Sequence, residues 1–73
     1  MGVNMDFGYK IRELQKINDV PCHELSKRLG VLPQQLSRWR RADDLKFSTI
    51  KKLSEIFGMS VYEFIQFGED RGT

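Results

Sequence analysis

The chain has 73 residues, enough for one domain near the lower limit at which a single hydrophobic core holds without staples. One cysteine excludes an internal disulfide and one histidine beside it leaves no metal site of the usual kind, so no cofactor is expected and a reduced, cytoplasmic setting is the default. The formal charge is only +2, no apolar run approaches the roughly 20 residues of a membrane span, and the opening MGVNMDFGYK lacks the blocks of a secretory signal.

In chain order, Met1 to Met5 read as a loose terminus, with Asn4 or Asp6 available as a helix cap. Phe7, Ile11, Leu14 and Ile17 then recur at four, three and three, the stripe of an amphipathic helix ending near Asn18. Gly8 costs about 0.5–1 kcal/mol relative to alanine inside a helix, so it marks the helix start or the close approach of another backbone. Asn18-Asp19 with Pro21 behind them stop this helix and start the next, which runs from Pro21 or Cys22 to Leu29 with Leu25 and Leu29 on one face. Gly30 can take the left-handed conformation that ends a helix, and Pro33 suits the first turn of another. The third helix runs from Pro33 to about Arg41, with Leu36 and Trp39 beneath and Gln34, Gln35, Ser37, Arg38, Arg40 and Arg41 on the other faces. Two short helices joined by a glycine-containing turn, the second displaying glutamines and arginines, describe a helix-turn-helix reader of DNA.

After the polar turn Ala42-Asp43-Asp44, Phe47, Ile50, Leu53, Ile56 and Phe57 define a fourth helix from roughly Phe47 to Phe57, closed by Gly58. Ser60-Val61-Tyr62-Glu63 is a capping box that starts a fifth helix, which ends near Phe67. Placement of charge says more than its total. Between Lys27 and Arg41 stand Lys27, Arg28, Arg38, Arg40 and Arg41 with no acid among them. A basic run alone reads as a solvated face; coinciding with the two-helix pattern, it reads as a patch for phosphates.

These pieces carry a family likeness. Phe7-Gly8 and Ile11-Arg12-Glu13-Leu14 come first, then Glu24-Leu25-Ser26, Leu29-Gly30-Val31 and Leu36-Ser37-Arg38-Trp39-Arg40. Ile50-Lys51-Lys52-Leu53 and Phe57-Gly58-Met59-Ser60 with Phe64 complete the set. In that order and spacing the chain resembles the lambda-repressor-like family, the Cro or xenobiotic-response-element type of helix-turn-helix, from Phe7 to about Phe67. The resemblance implies an all-α, compact five-helix domain over residues 1–73, with its core in 6–67 and a polar tail in 68–73. It implies binding to double-stranded operator DNA, as a two-fold homodimer with the third helix in the major groove.

Carried over by position, Gln34 and Arg38 meet base edges, glutamine suiting adenine and arginine guanine. Gln35 and Ser37 flank them. Arg40 and Arg41, together with Lys27, Lys46 and the amides at Cys22, are expected on the phosphate backbone. The chain also departs from the family. Pro33 stands where a base-reading polar side chain is common, and Pro21 and Cys22 replace a hydroxyl cap and a phosphate-binding glutamine. Asp43-Asp44 occupy a loop that is often basic, and Ala42 replaces a capping glycine, so the third helix should end less sharply.

Other residues are read more plainly. Trp39, three residues from Leu36, is a core plug rather than a stacking platform; Met59 is core filler; His23 lies on a surface helix; Cys22 has no resolving partner for redox chemistry. No set of catalytic side chains can be assembled, so no enzyme is expected. Val61, Phe64 and Ile65 can cover the core while Tyr62 and Phe67 are surplus to it, and Tyr62, Ile65 and Phe67 are the expected dimer interface. The whole chain reads as the DNA-reading head, which favours a small phage or mobile-element repressor. The alternative is an antitoxin or antirepressor whose helices cap a protein partner, with DNA binding secondary.

Overall fold

A computed structural model describes residues 6–69, which form five helices: α1 Phe7–Asn18, α2 Cys22–Leu29, α3 Pro33–Trp39, α4 Phe47–Ile56 and α5 Val61–Gln66. No strand occurs among the described residues. The Asn4 alternative for the first cap and the tail beyond residue 69 lie outside them.

Local chemistry sets most boundaries. The Asp6 carboxylate accepts from the Tyr9 amide at 2.9 Å and starts α1. Asp19 ends it in the left-handed conformation, φ 56°, which a short polar side chain tolerates. Gly30 closes α2 at φ 71°, and the Val31 amide reaches back to the Ser26 carbonyl at 3.0 Å. Ser60 and Glu63 form the reciprocal capping box at the start of α5, each side chain bonded to the other's amide at 3.1 and 2.8 Å.

At α3 the helix is shorter than its propensity suggests. It stops at Trp39, and Arg40 stays in the right-handed region while the Arg41 and Ala42 amides bond the carbonyls three residues back, at 3.1 Å each. With alanine at position 42 no left-handed cap forms, so α3 unwinds through tighter turns. Arg41 therefore sits in the turn after the helix.

The core gathers Phe7, Ile11 and Leu14 of α1, Val20, Leu25 and Leu29 from the α2 region, Leu36, Ile50, Leu53 and Phe64. Phe7 and Phe64 stack at 6.2 Å between ring centres, tying the two ends of the fold together. Each fully buried leucine or phenylalanine contributes roughly 1.5–3 kcal/mol relative to exposure.

Three hydrophobic assignments change. Ile17 is 66% exposed, because the chain reverses at Asp19 and Val20 takes the core place beyond Leu14. Phe47 is also 66% exposed; as the first residue of α4 it lies past the buried face that Ile50 and Leu53 define. Phe67 is not surplus. It is half-buried against the core, as is Ile65, and its carbonyl accepts from the Lys10 ammonium at 2.6 Å. Lys10, 2% exposed, sits within the apolar stripe of α1 and also pairs with Glu69, so a buried cation clasps the end of the chain onto α1. Trp39 and Met59 pack on the core as expected.

Candidate nucleic-acid interface

Burial of Leu25, Leu29 and Leu36 with Trp39 beside them presses one side of α3 onto α2 and the body of the domain. The opposite side is open. Gln34, Ser37, Arg38 and, in the following turn, Arg41 are exposed and with Pro33 line a cleft of about 640 Å³. No carboxylate lines it. Two arginines, two neutral hydrogen-bonding side chains and no acid on one ridge suit a polyanion whose edges carry donors and acceptors.

The carboxyl end of this ridge is held from behind by α1. The Gly8 amide donates to the Ala42 carbonyl at 2.9 Å, the Arg12 guanidinium donates to the Arg40 carbonyl, and Arg40 Nε donates to Gln15 Oε1 at 2.8 Å. Gly8 fulfils both of its expected purposes: it lies in the first turn of α1, and a Cβ there would come within 2.7 Å of the Arg40 carbonyl carbon. Gln15 is buried and donates to the Val20 carbonyl at 3.0 Å, so one amide side chain links α1, the entry to α2 and the exit from α3.

The helix-turn-helix family model matches residues 9–64. The chain belongs to that lambda-repressor-like family. It is accordingly a DNA-binding transcription regulator in general terms, from a family whose domain is regulatory rather than enzymatic. No curated protein and no solved structure matches it. Among the described residues no helix is long and apolar enough to cross a membrane, and no group of three or more His, Cys, Asp or Glu could hold a metal.

Within this helix-turn-helix, the residues expected to contact DNA divide into four places. Gln34, Ser37, Arg38 and Arg41 share the open ridge. Gln35 is half-buried and turns toward α4, where it lines a second recess of about 270 Å³ with Trp39, Lys46 and Lys52. Arg40 departs from its expected outward place: it is half-buried, held to Gln15, and lines a cleft of about 470 Å³ with Arg12, Pro21 and the exposed Cys22, a cleft that Glu13 and Asp19 also line. No side chain caps the start of α2 at that cleft, and Gln15 Nε2 lies 3.5 Å from Cys22 Sγ. Lys27 is exposed on α2, whereas Arg28 one residue on is paired with Glu24.

The five-residue basic window is thus split, with Arg28 compensated and Arg40 turned inward. Arg12, Gln15 and Lys52 were not among the residues expected at the site from the sequence. The available signal for Gln15 was its place four residues after Ile11, at the edge of the α1 stripe, where a polar residue is buried only if bonded.

Proposed function

We propose that the protein is a sequence-specific repressor of the phage or mobile-element kind, binding a palindromic operator as a homodimer with α3 in the major groove. The observation that carries this reading is the acid-free, exposed ridge of Gln34, Ser37 and Arg38, continued by Arg41 in the next turn, on a helix whose other side is locked by Leu36 and Trp39. Gln34 and Arg38 read base edges, with Ser37 beside them. Gln35, turned toward Lys46, serves the flank of the site. Arg41, Lys27 and Lys46 neutralise phosphates, and the cleft of Arg12, Arg40 and the Cys22 amide receives one more. Repression then follows from occupying a site that polymerase needs, in the cytoplasm where the DNA is.

The proposed dimer rests on Tyr62, 72% exposed on α5, with the half-buried Ile65 and Phe67 at its edge. That same ring favours the second reading, an antitoxin or antirepressor that caps a partner protein. A partner co-purifying in fixed stoichiometry selects the second reading, and a footprint from the isolated protein selects the first.

Titrations of the selected operator against unrelated duplexes, at several salt concentrations, test the assignment. Arg38→Ala abolishes the preference for operator. Arg41→Ala weakens binding to every sequence and flattens the salt slope by about one. Both variants binding operator like the parent would show that α3 does not read the DNA.

A further inference from the structure

We infer that Leu32 is a specificity-determining residue that reads the C5-methyl group of a thymine in the operator, an inference that rests on the DNA reading above. Leu32 is 68% exposed at the amino end of α3, immediately before the exposed Pro33 and two residues before Gln34. The core does not need it. Val31 beside it is half-buried against the core and Leu36 one turn on is fully buried, so the packing of the turn is complete without Leu32.

The position makes the residue type stranger still. Leu32 is the N-cap of α3 and makes no side-chain capping bond. Leucine is among the poorest residues there, whereas serine, threonine, asparagine and aspartate satisfy an amide of the first turn. Its carbonyl already accepts from the Gln35 and Leu36 amides at 3.0 and 3.2 Å, so the uncommitted part is the isobutyl group alone. An apolar side chain is held in water at a place where a polar one would stabilise the helix.

A recognition helix enters the major groove with its amino-terminal residues against base edges. Those edges offer hydrogen-bond donors and acceptors and a single apolar feature, the thymine methyl. Leu32 and Pro33 have no side-chain group that can hydrogen-bond, so the methyl is what Leu32 can distinguish. Gln34 supplies polar readout next to it, and Arg38 and Arg41 anchor the same ridge. The operator accordingly carries a thymine next to the base pair that Gln34 reads.

The test begins with duplexes selected from a random pool by the full chain, each thymine of the winner then being replaced singly by deoxyuridine. Fluorescence anisotropy at fixed salt measures affinity. At one thymine per half-site, loss of the methyl weakens the parent about fourfold, the value of one buried methyl group, while the other thymines act as internal controls. Leu32→Ala binds thymine and uracil duplexes alike. Leu32→Ser does the same and melts about 5 °C higher, because serine caps α3. Discrimination retained by Leu32→Ala would assign the methyl contact to another residue, and a lower melting temperature for Leu32→Ser would assign the side chain to packing; either result overturns the inference. A selected duplex bound without any thymine-methyl dependence removes the inference and leaves the DNA reading standing; a pool from which nothing is selected removes both.

Discussion

Gly8→Ala tests the joint that aims the exposed ridge. A Cβ at Gly8 would lie 2.7 Å from the Arg40 carbonyl carbon, where ordinary contact begins at 3.4 Å. The obstacle is main chain, so no side chain can swing away. The amino end of α1 and the exit of α3 must part by at least about 0.7 Å, which stretches the Gly8 to Ala42 hydrogen bond from 2.9 Å toward about 3.6 Å, where it ceases to be one. Loss of that bond costs about 1 kcal/mol and the overpacking about 1–3 kcal/mol. Alanine returns about 0.5–1 kcal/mol of helix preference. The net is a loss of about 2 kcal/mol, or roughly 10 °C in melting temperature for a domain of this size.

Far-ultraviolet circular dichroism during thermal and urea unfolding measures it. Gly30→Ala is the matched control, since its φ is 71° and nothing lies within 4 Å of its added Cβ, leaving backbone strain of about 1 kcal/mol and no clash. The two variants separate in a second readout. Gly8→Ala shifts the exit of α3 and so weakens operator binding at temperatures where the variant is fully folded, whereas Gly30→Ala leaves the ridge docked on α1. A Gly8→Ala protein that melts at or above the parent and binds DNA normally would refute the close approach of α1 to α3.

Three further outcomes are expected. Lys10→Met removes the cation that bonds the Phe67 carbonyl and Glu69, leaving a carbonyl without a donor, and lowers urea stability by about 2 kcal/mol with an unchanged m-value; stability equal to the parent would mean that the clasp contributes nothing. Ser60→Ala breaks the capping box and costs about 1 kcal/mol, seen as a melting temperature lower by about 5 °C. Tyr62→Ser leaves stability within about 0.5 kcal/mol because the ring is exposed, yet sedimentation shows it monomeric at concentrations where the parent is dimeric. A parent that is monomeric both free and on operator DNA removes the proposed dimer.

The helices were legible because their signals are local. Asp6, Gly30, Gly58 and the Ser60 and Glu63 pair each act on main chain within a few residues, and apolar spacing marks the faces between them. The clasps behind the site were not, for a reason common to all of them. Lys10, Arg12 and Gln15 bond the carbonyls of Phe67, Arg40 and Val20. Every residue carries a carbonyl, so no residue type in the sequence announces the partner. The inward turn of Arg40 was hidden on the same account: a guanidinium in a basic window looks fully exposed, and only the fold brings Gln15 against its Nε. The end of α3 was set too late because arginines favour helix, while Ala42 supplies no left-handed cap and the exit of the helix docks on α1.

That division of the arginines bears on how the protein can bind DNA. Of the basic window, Arg28 is compensated by Glu24 and Arg40 is engaged with Gln15, which leaves Lys27, Arg38 and Arg41, with Lys46 and Lys52 beyond it, as exposed cations near α3. The salt-dependent term scales with the number of phosphates neutralised, so one protomer with so few cations has little sequence-independent affinity. Occupancy of one site among many competitors must then come from contacts that tell bases apart, each worth about 1–3 kcal/mol. A single ridge offers too few of these. Pairing two ridges across a palindrome doubles the base contacts together with the phosphate contacts, and the exposed Tyr62 on α5, remote in sequence from the ridge, is where the proposed dimer joins two copies while leaving both reading helices free.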